Sequence, residues 1–596
     1  MTETRVLAEI CFGSRWARCG NTLAAGSAFV DGKLMTAGLL ARSFDSAGGA
    51  LESMPSRCNG FFAVVSVSES TIFAAVDRVR SIPVFYCIDN GKVLLSDDPH
   101  LIRERAGIEN KDGPAEKELL LTRYVTGPDT LYTQIKQLQA GEYLFIDRYV
   151  AIEKQRAAKR YYIFTHTDLN GGSGRKLDRA EKEREFRELT ERNIGELDKA
   201  FCRLAEYAAG RPIVVPLSGG YDSRLVVLML KRTGFPDVRT FTFGKRGNPD
   251  TAVSKKVADN LDLPWTAVHY DGDEIFEMIN SKEWKRYDRM ADGLCCTCFD
   301  RDWPALRVLK NKKYIPDEAV IVPGHSGDFI GGGHIREGFA RKSPVSPDEF
   351  AGEILDRHYT MWQWSGQEKV LRPELAERIL RCAGVDSDMD RETACDAYER
   401  WVWQEFQSKY LVNGVRVYEF WGYDWWLPLW DAQYMDFWST VPLRWRLGKK
   451  LYDETVFRLY TDMAHVTYGE AKLRNDSKGA LGAFSGGAER AVKNLIRSSP
   501  LRPAISALRE RLRRYVPSLP RSETMELDWE QCQGRLSKSL YEALAPFMTN
   551  RSSSVTLEKL GYIRFDDKKV SSQVLAMLRQ MRGAGLSGNR ARAKVR

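Results

Sequence analysis

The 596-residue chain lacks any apolar run of about 18 residues, so no membrane-spanning helix is expected. Its start, MTETRVLAEICFGSRW, lacks a basic stretch followed by an apolar one, so no secretory leader is expected. Charge of one sign is lacking too. The 89 basic and 80 acidic residues leave a net +9, mild for this length, and nucleic acid is not expected as a partner. The 11 cysteines lack regular spacing and are odd in number, which speaks for a reduced, cytoplasmic protein rather than a disulfide framework. Histidine is scarce, at 7 residues, so any histidine in a glycine turn stands out. What is abundant is aromatic: 15 Trp, 24 Tyr and 26 Phe exclude disorder of the whole chain. The length allows two to four domains.

Three textures follow one another. Up to about residue 165, short apolar runs (FFAVVSV, TIFAAV, VFYCI, KVLLS, YLFI) alternate with turns and read as strands of layered sheets. A Gly/Ser-rich stretch, 170–175, and a charged stretch to Arg192 read as a linker entering a helix. From about 180 to 480 the pattern is α/β. Helical spacing over 183–207 precedes an apolar strand at 212–217, a glycine turn and a helix at 224–230. A strand at 238–243, a helix at 251–261 and strands at 265–270 and 319–322 follow. Such repetition implies a doubly wound parallel sheet, whose ligands sit at the carboxyl ends of the strands. Beyond 480 the chain is mixed, with a basic amphipathic segment at 501–514 and a basic, disordered tail at 589–596.

The most informative segment is Leu217-Ser218-Gly219-Gly220-Tyr221-Asp222-Ser223, between a strand and a helix. Its glycines let backbone N–H groups approach an anion, its serines add hydroxyl donors, and the helix start adds partial positive charge. Asp222 would repel a phosphate directly, so its role there is to hold a divalent cation that bridges phosphate oxygens. This segment resembles the signature of the PP-loop ATP pyrophosphatases, which cleave ATP between the α and β phosphates.

A second turn, IVPGHSGDFIGGGH over 321–334, resembles the S-G-x-G-[SA]-D-E-x-x-G-G segment of the asparagine synthetase family, with Gly324, Asp328, Gly332 and Gly333 aligned. Phe241-Thr242-Phe243-Gly244 is similar to the strand bordering the adenine, and Pro428-Leu429-Trp430-Asp431 to P-F-L-D. Lys449-Lys450-Leu451-Tyr452 is similar to K-x-[IL]-L, whose lysine is catalytic, with Lys449 the candidate and Lys450 the fallback. Asn59-Gly60-Phe61-Phe62-Ala63, Asp77-Arg78 and Pro83-Val84-Phe85-Tyr86 resemble segments of the family's amidotransferase domain. The resemblance covers about residues 55–480. It implies a layered αββα, Ntn-type domain over 1–168 and a doubly wound parallel α/β PP-loop domain over 180–480, and the basic texture beyond them reads as a helical extension over 481–596 with a disordered tail. It also implies ATP and Mg²⁺ as cofactors, with Asp222 and Asp328 on the metal. Leu217, Ser218, Gly219, Gly220, Ser223, Phe243 and Gly324 would line the ATP and pyrophosphate site. Lys449 would stabilise charge in the tetrahedral intermediate.

Departures from the pattern shift the expected chemistry. Family members with glutaminase activity start Met-Cys-Gly, whereas Thr2 is second here and Cys11 lies inside the first strand. Glutaminase activity is therefore expected to be lost, leaving ammonia or a substrate amine as nitrogen donor. His325 stands where the family has Glu, a candidate base near pH 7, and Phe329 replaces the Glu after the Asp, which puts aspartate in doubt as substrate. Cys295-Cys296-Thr297-Cys298 reads as buried or pocket-lining cysteines rather than a zinc site, since no second pair lies nearby. Eight tryptophans between Trp401 and Trp445 read as core.

The expected activity is an AMP-forming amide ligase acting on a small-molecule or peptide carboxylate, away from membranes, with a homodimer allowed. Two rivals stand beside it. A PP-loop thiolation or tRNA-modifying enzyme would need a catalytic cysteine such as Cys298 and an RNA surface. A non-catalytic scaffold would bind no Mg²⁺–ATP.

Overall fold

The computed structural model describes residues 5–472, apart from 156–157, 167–176, 245, 271–277, 279–280, 300, 361 and 364–367, and also residues 525–526. The expected linker at 170–175, the basic segment at 501–514, the tail at 589–596 and Thr2 lie outside the described residues.

The N-terminal elements are β1 (Leu7–Cys11), β2 (Ala17–Cys19), β3 (Thr22–Val30), β4 (Lys33–Thr36), α1 (Ala37–Asp45), β5 (Cys58–Val67), β6 (Thr71–Val76), β7 (Phe85–Asp89), β8 (Lys92–Ser96), α2 (Pro99–Ala106), α3 (Gly113–Thr122), β9 (Ile135–Gln137), β10 (Glu142–Asp147) and β11 (Ala158–Arg160). They form a small sheet ordered β1-β8-β7-β9 and a larger one ordered β11-β10-β6-β5-β3-β2, with β4 on β3. Strand alternation explains the layering. On β5, Ala63 and Val65 point into a core shared with Tyr86 and Leu95 of the small sheet. Phe62 and Val64 face the other way, against Leu40 and Phe44 of α1. With α2 packed on β7 and β8, the order of layers is αββα.

The second half opens with α4 (Arg179–Ala208), whose start is fixed by a reciprocal cap between Asp178 and Glu181. The charged stretch up to Arg192 is thus already helix. Then come β12 (Ile213–Pro216), α5 (Tyr221–Arg232), β13 (Val238–Gly244), α6 (Pro249–Asn260), β14 (Trp265–His269) and β15 (Val320–Ile321). A short strand, Asp424–Trp425, completes a parallel sheet ordered β14-β13-β12-β15 and then Asp424–Trp425. Ile213, Val214 and Val215 are fully buried, as a central parallel strand covered on both faces requires. Strand order reverses between β12 and β15, and a crevice opens at their carboxyl ends at such a point. Both glycine turns of the sequence leave the sheet there.

The two halves share hydrogen bonds. Backbone N–H groups of Val125 and Leu131 donate to the carbonyls of Cys295 and Leu294 at 2.8 Å, and Thr297 N–H returns one to the Arg123 carbonyl at 2.8 Å. The cysteine-rich segment is therefore a seam between domains, with Cys295, Cys296 and Cys298 buried. Arg80 places a guanidinium nitrogen 3.8 Å from Cys295 Sγ. Trp401, Trp403, Trp425, Trp426, Trp430 and Trp438 are core residues, as expected. No helix among the described residues is long and apolar enough to cross a membrane.

Candidate active site

The first turn is built by α5 starting immediately after Gly220. Ser223, on the first turn of α5, points its hydroxyl back to accept the Ser218 N–H at 3.0 Å, and the Ser218 and Ser223 hydroxyls lie 3.1 Å apart. Ser218 Oγ in turn accepts the Gly220 N–H at 3.1 Å. Leu217 anchors the turn from below: its N–H donates to Phe241 on β13, and its carbonyl accepts the Ser254 hydroxyl of α6 at 2.7 Å. Phe243, at the end of β13, stacks at 6.4 Å on Tyr270, so an aromatic pair borders the same sheet edge.

The second turn lies flush against the first. A Cβ on Gly324 would meet Ser223 N at 2.5 Å and the Asp222 carbonyl carbon at 2.8 Å, so only glycine fits there. The approach lets Asp328 N–H donate to Asp222 Oδ2 at 3.1 Å. Two carboxylate-bearing residues from separate strands thereby meet. Burial and the nearby Asp328 charge raise Asp222 to about 7, against the pull of Lys449. Burial would raise Asp328 as well, yet a hydrogen bond from His334, the charge of that imidazole and Lys449 outweigh it and hold Asp328 low. His334 Nε2 is 3.5 Å from Asp328 Oδ2.

Lys449 reaches this pair from the start of the helix Lys450–Ala464. Gly333 makes room for it: a Cβ there would lie 2.6 Å from Lys449 Cδ. Lys449 Nζ pairs with Asp453 at 3.2 Å and lies 5.4 Å from the Tyr221 ring centre. Lys450 instead turns away to the Arg444 carbonyl. Of the two lysines, the structure brings Lys449 to the turns.

His325 lies in the second turn beside Phe299, with ring centres 5.8 Å apart. Its Nδ1 is buried without a hydrogen-bond partner among the described residues. Burial and the Arg301 charge push it down to about 4, against Asp328. It is neutral at pH 7 and a weak base, not the base poised near neutrality that the sequence suggested. Phe329 is wholly buried and packs on Phe164, Trp430 and His334, an apolar plug where the family pattern has Glu. Sequence reasoning missed His334 and Tyr452. The signals were present: His334 follows the aligned glycines directly, and Tyr452 stands on the last Leu of K-x-[IL]-L.

The donor set suits a hard divalent cation. Asp222 and Asp328 supply carboxylate oxygens, and no three His, Cys, Asp or Glu among the described residues form a complete cage. A Mg²⁺ that completes its shell with phosphate oxygens and water asks for one or two carboxylates.

A glycine turn, a second glycine–aspartate turn and a lysine thus meet at the switch point of a parallel sheet. Residues 202–455 match the family model for asparagine synthase. Residues 38–162 match that of the glutamine amidotransferase domain. No curated protein matches the chain. With these two domains in this order, it is an asparagine synthetase-like protein, a ligase of a family that depends on ATP and generally on Mg²⁺.

Proposed function

We propose that this protein adenylates a carboxylate with ATP, releases pyrophosphate, and transfers the acyl group to ammonia or a substrate amine with loss of AMP. The observation that carries this is the contact between the turns, with Asp328 N–H on Asp222 Oδ2 at 3.1 Å. It converges a phosphate-binding turn, two carboxylates and Lys449 on one point. Ser218, Gly219, Gly220 and Ser223 cradle the pyrophosphate by backbone and hydroxyl donors at the start of α5. Asp222 and Asp328 would hold Mg²⁺, which would supply positive charge to the phosphate oxygens. Lys449 offers its ammonium to negative charge on the reacting acyl centre. Phe243 and Leu217 border the nucleotide base.

Glutaminase activity is not part of this proposal. Cys11 ends a strand, has no free amine, and burial pushes its thiol up from the usual cysteine range. Replacement of Glu by the apolar Phe329 and of another Glu by a neutral His325 supports an acceptor other than aspartate.

The test uses ATP labelled in the α and γ positions with a panel of carboxylates and ammonia. Labelled AMP and pyrophosphate are expected, and Asp222→Ala is expected to abolish both. If neither product forms with any acceptor, or Asp222→Ala forms them at the wild-type rate, the proposal fails.

A further inference from the structure

Tyr452 lies three residues after Lys449, and its side chain is wholly buried. Its hydroxyl donates to Asp222 Oδ1 at 2.9 Å. The other oxygen, Oδ2, accepts the Asp328 N–H at 3.1 Å. An ionised carboxylate has about four lone-pair sites, so each oxygen keeps one for a cation. Held by one donor on each oxygen, the carboxylate has no free torsion left.

Space for the phenol comes from two glycines of the second turn. A Cβ on Gly327 would lie 1.9 Å from the Tyr452 hydroxyl oxygen and 2.7 Å from Cζ. A Cβ on Gly331 would lie 2.6 Å from Tyr452 Cβ. Neither glycine has a positive φ, so each supplies room rather than an unusual backbone conformation. Counting from Asp328 in the family pattern, Gly327 stands on [SA]; counting from Lys449, Tyr452 stands on Leu. Two departures thus meet at one contact: a side chain is removed from the turn, and a hydroxyl from the helix fills its place.

We propose that Tyr452 is a positioning residue that orients the Asp222 carboxylate toward the cation, and that Gly327 is glycine in order to admit it. This rests on the nucleotide reading of the site given above. A buried tyrosine also needs an acceptor for its own sake, so the test must separate positioning from mere satisfaction of the hydroxyl.

The full-length chain is titrated calorimetrically with α,β-methylene-ATP, which cannot be cleaved at that position, over a series of Mg²⁺ concentrations. Tyr452→Phe is expected to raise the Mg²⁺ concentration for half-maximal binding about tenfold, the effect of removing a group that orients a metal ligand. Gly327→Ala drives a methyl into the hydroxyl and is expected to act in the same direction while lowering the melting temperature. Gly327→Ala with Tyr452→Leu is expected to restore melting but not Mg²⁺ affinity. A structural role alone would leave Mg²⁺ dependence unchanged in any variant that folds. Wild-type Mg²⁺ dependence in Tyr452→Phe, or in the double variant should the single one not fold, overturns the assignment and leaves the nucleotide reading intact. A wild-type protein that binds the analogue without regard to Mg²⁺ overturns both.

Discussion

Lys409 is a direct probe of how the two domains are joined. It lies in the helical segment Trp403–Leu411 and is fully buried, as is Glu405 one turn earlier. Its ammonium donates to the carbonyls of Val125 at 2.8 Å and Gly127 at 2.6 Å in the N-terminal domain, and to Glu405 Oε2 at 2.5 Å. Glu405 Oε2 also accepts the Gly127 N–H at 3.0 Å, and Gln404 donates to Oε1. Lys409→Met keeps most of the volume but removes all three donors and leaves an unpaired buried carboxylate. Breaking a buried pair in this way costs about 3–5 kcal/mol. At about 2 °C per kcal/mol for a domain of this size, the melting temperature should fall by roughly 6–10 °C. Limited proteolysis should then cut near residues 123–131 before the sheet of the second half. Glu405→Gln combined with Lys409→Met removes the stranded charge and should recover part of the loss. Differential scanning fluorimetry with timed trypsin digestion reads both quantities. A shift below about 2 °C, or a double variant no better than the single, would refute the idea that this pair joins the domains.

Gly324→Ala places a methyl 2.5 Å from the Ser223 amide nitrogen, so the turns must separate, and calorimetry with the ATP analogue should show affinity falling more than about tenfold. For pH, burial lowers His325 from its ordinary value near 6.5 to about 4. The folded state therefore binds this proton less readily than the unfolded one. The stability involved is fully present above pH 6.5 and is lost as pH falls toward 4, by about 3 kcal/mol. His325→Gln should flatten that part of the melting-temperature profile, and an unchanged slope would show that the imidazole is not held neutral. Cys298→Ser should leave labelled AMP and pyrophosphate formation intact; its loss in a folded variant would favour the thiolation chemistry instead.

The parts of the fold and site visible in sequence were those fixed by local chemistry. The run 212–217 announces a two-sided buried strand, and the next residues announce an anion turn, because both signals lie within ten positions of each other. The second turn was legible through Gly324 and Asp328 for the same reason. What sequence could not show was contact between distant segments. That Gly324 is glycine because Ser223 lies against it depends on the lateral pairing of β12 and β15. Residues 295–298 read as buried or pocket-lining cysteines and are buried, but nothing local reveals that 123–131 pair with their backbone. The neutrality of His325 is likewise a product of burial beside Phe299, which is a tertiary fact. The strand expected at 319–322 is Val320–Ile321, and the Val322 N–H still donates to the Val214 carbonyl of β12 at 3.0 Å.

The seam between residues 123–131 and 294–297 bears on the connector, too. Backbone groups on each side complete those of the other, and Lys409 and Glu405 clasp the same stretch from a third segment. Covalent continuity between the domains is then not what keeps them together. A single protease nick at 167–176 should leave two fragments that co-elute, and the halves expressed as separate polypeptides should recover the joined particle on mixing.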